Sequence, residues 1–127
     1  MIAVDTSALM AFVRRKAEAE RCKAALEAES ELLISAGTVA EVLIVAARRN
    51  VGDEVTRLID GLGFDVVPVT PAAARRIAAA YGKWGRGMHP AALNFGDCFS
   101  YEVASEHACP LLFVGDDFAK TDLTGVL

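Results

Sequence analysis

MIAVDTSALMAFV, residues 1–13, sets the pattern for the whole chain. Ile2, Ala3 and Val4 form a short apolar run, β-branched at its ends and free of chain breakers, which predicts a strand buried on both faces. The run stops abruptly at Asp5. Thr6 and Ser7 then read as the start of a helix that carries on to Val13. A buried strand that ends on an acid and passes directly into a helix is the opening of an alternating β/α chain.

The same alternation continues outward. Residues 17–29 place Ala19, Cys22 and Leu26 on one face of an amphipathic helix. LLIS at 32–35 predicts a second strand, broken by Gly37, with Thr38 opening a helix whose apolar face is Val39, Val42, Leu43 and Ala46. After Gly52 the helical spacing returns at Val55, Leu58, Ile59 and Leu62, and Gly61 and Gly63 close it. DVVPV at 65–69 is a third strand, and Pro68 suggests an edge position. Thr70-Pro71 reads as a cap followed by proline at the first helical position. That helix runs through Ile77 and Tyr81. Gly82, Lys83, Gly85, Arg86, Gly87, His89 and Pro90 predict a flexible loop. Asn94 starts another helix, carrying Phe95, Phe99 and Val103, and LLFV at 111–114 is a fourth strand. TGVL at 124–127 could add a short edge strand. Short apolar strands separated by helices specify a parallel sheet covered on both sides, here as one domain over residues 1–127.

Composition narrows the function classes. The chain has a formal net charge of −4 and is 54% hydrophobic, which suits a folded domain and excludes disorder. Apolar stretches such as VLIVAA at 42–47 fall far short of the ~20 residues a spanning helix needs. The opening has no basic region of a signal peptide. Cys22, Cys98 and Cys109 form no CxxC pair, which reads as reduced thiols in a cytoplasmic protein and argues against zinc. The acidic balance argues against a basic surface holding nucleic acid by counterion release alone.

In parallel α/β folds, ligands bind at the carboxyl ends of the strands, where the strand order reverses. The first strand ends in Asp5 and the fourth in Gly115-Asp116-Asp117. Glu41 lies one turn into the helix after the second strand, and Asp97 one turn into the helix before the fourth. Each acid has a structural reading as well. Asp5 can cap the following helix, Thr38-x-x-Glu41 and Asn94-x-x-Asp97 can form capping boxes, and Asp116 or Asp117 can make a turn. Together at one end of the sheet they would repel one another, and a hard divalent cation such as Mg2+ or Mn2+ would relieve that conflict. Such a site suits phosphodiester hydrolysis without a histidine or cysteine nucleophile. His89 and His107 read as loop or surface residues, and Cys98 as a small buried apolar side chain.

Four segments carry a family resemblance: MIAVDTSALMAF, ISAGTVAEVLIV, HPAALNFGDCFSYEVA and PLLFVGDDFAKTDL. In this order, and spanning essentially the whole chain, they resemble PIN-domain ribonucleases, above all the VapC-type toxins of toxin–antitoxin pairs. The resemblance implies an α/β/α sandwich with a short parallel sheet in order 3-2-1-4-5. It implies a Mg2+- or Mn2+-dependent endoribonuclease acting on RNA, a cognate VapB-type antitoxin that blocks the acidic groove, and a homodimer. By motif, Asp5 and Asp97 are metal ligands, and Glu41 and Asp116 complete the catalytic quartet. The chain departs from the family's threonine-x-aspartate pattern at the fourth position, so Asp117 is the alternative to Asp116. Thr6 and Ser7 would be supporting hydroxyls. In-line attack by water would leave a 3′-hydroxyl and a 5′-phosphate.

Basic residues cluster at Arg14-Arg15-Lys16, Arg48-Arg49, Arg75-Arg76, and Lys83 with Arg86. The last pair, in the predicted glycine-rich loop, is the candidate for phosphate contact. Trp84 could stack on a base or pack against a second subunit. Other readings fit less well. A response-regulator receiver needs a second acid beside Asp5 and an acid ending the third strand, where this chain has Thr6 and Val69-Thr70. A haloacid-dehalogenase-like phosphatase needs an acid at position 7, which is Ser7. A non-catalytic RNA-binding or scaffold protein of the same fold is the remaining alternative.

Overall fold

The computed structural model describes residues 1–127. Strands β1 (Ile2–Val4), β2 (Leu32–Ser35), β3 (Asp65–Val67) and β4 (Leu111–Leu112) form one parallel sheet in the order β3-β2-β1-β4. Helices α1 (Thr6–Val13) and α2 (Ala19–Ala28) join β1 to β2, and α3 (Ala36–Arg48) and α4 (Gly52–Leu62) join β2 to β3. Helices α5 (Pro71–Trp84) and α6 (Phe95–Glu106) lead back across the sheet to β4. The predicted order 3-2-1-4 holds for the four strands. In place of a fifth strand, the C-terminal segment makes a single parallel bridge, Gly125 to Leu111, with Val126 N–H donating to the Leu111 carbonyl over 3.1 Å.

Strand alternation splits the core into two layers. Ile2, Val4, Leu32, Ile34 and Leu112 point to one face and meet Leu9, Cys22, Val42 and Val55 from α1–α4. Ala3, Leu33 and Leu111 point to the other and meet Ile77, Trp84, Tyr101 and Val103 from α5 and α6. Both faces of each central strand are therefore dry, which is why these strands carry no polar alternation. β3 lies at the sheet edge, as Pro68 suggests, and Val66 there is exposed.

Helix boundaries depart from the sequence reading at two places. The first is α3, which begins at Ala36 with Ser35 as its cap, the Ser35 hydroxyl accepting from Gly37 N–H. Gly37 thus lies inside the first turn rather than breaking the chain. A Cβ there would run into the Phe99 ring, so the glycine allows α3 and α6 to approach. The second is α5, which continues through Gly82 and Lys83 to Trp84. Glycine inside a helix costs about 1 kcal/mol, and burial of Ala80 and Trp84 offsets it. The loop is accordingly shorter than the glycines suggest, and Lys83 belongs to the helix.

Candidate active site

Asp5 stands at the carboxyl end of β1, between β2 and β4, where the chain connections diverge. Its backbone N–H donates to the Leu112 carbonyl of β4 at 3.0 Å. Its side chain is only 3% exposed and is the N-cap of α1. Oδ2 accepts from Ser7 N–H at 3.0 Å and from the Ser7 hydroxyl at 2.6 Å, and Oδ1 accepts from the Ser100 hydroxyl at 2.5 Å. Ser7 also accepts from Val114 N–H at 3.0 Å, which ties Asp5 to the chain leaving β4. Ser100 in turn lies 3.2 Å from the Thr38 hydroxyl on α3. A buried carboxylate needs its charge and lone pairs satisfied. Here three hydrogen bonds from two serines occupy lone pairs on both oxygens and fix one rotamer.

Glu41 is held from across the cleft. Its Oε1 accepts from the Thr6 hydroxyl at 2.6 Å, a bond linking α3 to α1. The capping box expected between Thr38 and Glu41 is therefore absent. Thr38 is fully buried against Ser100, and the helix starts two residues earlier. Burial and the charge of Asp5 raise the Glu41 pKa, and the Thr6 bond partly opposes them. Gly96, at the start of α6, closes the other side, where a Cβ would overlap the Glu41 carboxylate.

Asp97 does form its expected capping box. Asn94 Oδ1 accepts from Asp97 N–H at 2.8 Å, and Asp97 Oδ2 accepts from Asn94 N–H at 3.0 Å. Its carboxyl is nevertheless pushed up to about 6, chiefly by desolvation, with added repulsion from Asp5, Asp117 and Glu41. Four acids from four parts of the chain thus share one field at one end of the sheet. Asp116 and Asp117 both lie exposed on the turn that Gly115 makes at φ +107°. Of the two, Asp117 is the one whose charge acts on Asp97.

Nowhere do three His, Cys, Asp or Glu side chains converge closely enough to hold a metal by themselves. The donor set still suits a hard cation, because every candidate ligand is a carboxylate oxygen. Mg2+ uses one or two carboxylates and keeps several waters, so it needs no closed protein cage.

Other candidates disperse. Trp84 is buried in the α5–α6 core, edge-on to His89 at 4.7 Å and tilted against Tyr101 at 6.2 Å, which leaves no free face for a base. Lys83 Nζ lies over the Trp84 ring and lines a hollow with Arg76, Tyr101 and Glu102. Arg86 alone of the pair comes beside Asn94 and Phe95, at the start of the Asp97 helix. Sequence reasoning missed Ser100, Thr38 as its partner, and Gly96. The spacing of Asp97 and Ser100, one helical turn apart, was the available signal for Ser100.

The PIN domain family model matches residues 2–123. Two curated Mycobacterium tuberculosis proteins are close relatives. Ribonuclease VapC30 is 40% identical over 126 residues, covering 97% of this chain and 96% of that protein. Ribonuclease VapC42 is 42% identical over 124 residues, covering 94% and 95%. Among solved structures, the sarcin–ricin-loop-cleaving toxin VapC20 of M. tuberculosis superposes with a TM-score of 0.80 over 99% of this chain and 98% of its own, at 16% identity. A toxin–antitoxin complex from Klebsiella pneumoniae gives a TM-score of 0.71 over 96% of this chain and 93% of that one, at 22% identity. With a matched family model, a matching sheet and near-full-length relatives, this chain belongs to the PIN-domain family, among the VapC ribonucleases.

Proposed function

We propose that this protein is a divalent-metal-dependent endoribonuclease, the toxin of a toxin–antitoxin pair, with Asp5, Glu41, Asp97 and one of Asp116 and Asp117 as its catalytic acids. The observation that carries the reading is the arrangement at the switch point, where Ser100 of α6 holds Asp5 and Thr6 of α1 holds Glu41, so that acids from β1, α3 and α6 belong to one crevice. Acids assembled at a mutual cost, at the switch point of a parallel sheet, are poised for a cation.

Asp5 and Asp97 would hold the ion, Mg2+ or Mn2+ by the hardness of their oxygens. When bound, the metal supplies a water of lowered pKa and a positive charge facing the phosphate. The chain's own residues do the positioning. Asp5 is locked by Ser7 and Ser100. Glu41, with Oε1 engaged by Thr6 and Oε2 turned toward Gly96, orients the attacking water. Asp117 is favoured as the fourth acid, because its charge reaches Asp97. Arg86, exposed beside Asn94, would contact a substrate phosphate.

An antitoxin of the VapB type, a second copy of the chain and a cytoplasmic setting complete the reading. The toxin–antitoxin complex from K. pneumoniae and the VapBC2 complex from Rickettsia felis, at a TM-score of 0.69, support an antitoxin partner through shared fold. No helix is long and apolar enough to cross a membrane.

The test is cleavage of a small-RNA pool by purified protein with Mg2+, with Mn2+ and with chelator, beside Asp5→Asn and Asp97→Asn. Metal-dependent cuts that end in 3′-hydroxyls, and vanish in both variants, are expected. Cleavage by either variant at the parent rate would remove the assignment.

A further inference from the structure

Beyond β4 the chain makes a closed loop that carries the fourth acid. It leaves the sheet after Leu112 and returns to the same strand. Leu111 N–H donates to the Thr124 carbonyl at 2.9 Å, and Val126 N–H donates back to the Leu111 carbonyl at 3.1 Å. Phe118, at the start of a short 3-10 turn, is 3% exposed and meets Phe113 with ring centroids 5.3 Å apart. A loop with joined ends and its own packed side chains holds its shape as a unit. Its tip, Gly115, Asp116 and Asp117, is exposed and makes no hydrogen bond to any other element. The place of the tip is therefore set by how the loop is fastened.

Two side chains fasten it. On the way out, Val114 N–H donates to the Ser7 hydroxyl at 3.0 Å. On the way back, the Tyr101 hydroxyl of α6 donates to Asp122 Oδ1 at 2.7 Å. The Tyr101 ring is buried beside Trp84, and Asp122 is exposed. Burial first, and then the Asp122 bond, raise the Tyr101 pKa, so the hydroxyl keeps the proton it donates. A hydrogen bond to an ionised acceptor is about twice as strong as a neutral one.

We infer that Tyr101 and Asp122 form a latch that sets the place of the fourth acid, Asp117, and that Tyr101 is a positioning residue for the reaction. The inference rests on the ribonuclease reading and deepens it. Helix α6 then places three of the four acids. It carries Asp97, holds Asp5 through Ser100, and holds the Asp117 loop through Tyr101. Adjacent on the helix, Ser100 and Tyr101 point to different sides, one to Asp5 and one to the loop. Outer hydrogen bonds of this kind orient the groups that meet a metal.

The test compares the parent with Tyr101→Phe, Asp122→Ala and Asp122→Asn, each also made in an Asp117→Asn background. The readouts are kcat on the small-RNA pool, Mn2+ binding to the RNA-free protein, and RNA binding in chelator. Tyr101→Phe and Asp122→Ala should each lower kcat about 10- to 100-fold and weaken Mn2+ binding, while Tyr101→Phe leaves RNA affinity in chelator unchanged. Asp122→Asn keeps an acceptor oxygen and should retain most of the rate. In the Asp117→Asn background, Tyr101→Phe should cost nothing further, because the acid that the latch places is gone. A parent rate in Tyr101→Phe would overturn the latch. So would a further loss of the same size in the Asp117→Asn background, which would make Tyr101 a general support of the fold. If the parent binds Mn2+ and shows this coupling in Mn2+ affinity but cuts no RNA, the latch stands and the nuclease reading falls. A parent that neither binds Mn2+ nor cuts RNA would overturn both.

Discussion

Two opposing demands meet at the Asp97 carboxyl. As part of a capping box it is held in place by Asn94, and as one of four neighbouring acids it is repelled. Its folded pKa of about 6 lies above the ordinary value of 3.8. The folded state therefore holds a proton that the unfolded chain has lost, and stability contributed by this group falls as pH rises from 3.8 through about 6. Above that window the penalty is fully present, although partial exposure to solvent reduces it to about 1 kcal/mol at most. Asn at this position keeps the oxygen that caps α6 and removes the charge. Asp97→Asn should thus melt at or above the parent in chelator at pH 7.5, while losing cleavage. Ser100→Ala makes the opposite case. It strips a hydrogen bond from buried Asp5, with an expected loss of about 1–2 kcal/mol on denaturant melting and about 10- to 100-fold in cleavage rate. At this scale the acids were legible, because Asp5, Asp116 and Asp117 follow strands and Glu41 and Asp97 lie in the opening turns of helices. Ser100 was legible only as a residue one turn from Asp97; that it reaches Asp5, 95 positions away, is a tertiary contact no local pattern carries.

Helices α3 and α6 approach closely enough that two glycines become structural requirements. A side chain at Gly37 would strike the Phe99 ring, and one at Gly96 would strike Glu41. The two substitutions should separate. Gly37→Ala forces the helices apart and should cost about 1–3 kcal/mol of stability, measured by urea unfolding. Gly96→Ala displaces the Glu41 carboxylate and should lower cleavage more than it lowers RNA binding, a split read by comparing kcat with Kd. The apolar runs located all four strands; double-sided burial leaves a plain pattern in β1, β2 and β4, whereas the exposed edge strand β3 is legible from its short Val-rich run before Pro68. Caps were harder. Thr38-x-x-Glu41 is a sound local motif, yet Thr38 pairs with Ser100 and Glu41 with Thr6, since tertiary partners outcompeted the box. Glycines misled in the same way. Gly82 reads as a loop, but core packing of Trp84 carries the helix past it.

Across the whole molecule, the sheet order brings the ends of β1 and β4 side by side and aims α3 and α6 at the same edge. That is how acids at positions 5, 41, 97 and 117 come to share one field in a chain whose net charge is only −4. The alternation of strands and helices made the architecture legible. The order of the strands entered through family resemblance, because short parallel strands carry no pairing signal of their own. If the fold gathers these acids for a cation, metal should relieve their repulsion, and relief should depend on their being ionised. The most direct measurement is the Mg2+-induced shift in melting temperature of parent and Asp97→Asn at pH 7.5 and pH 5. A clear rise is expected for the parent at pH 7.5, a smaller one at pH 5 where Asp97 is largely protonated, and little or none for the variant at either pH. Equal rises in parent and variant, or no rise in the parent with Mg2+ or Mn2+, would mean that these acids do not hold a cation.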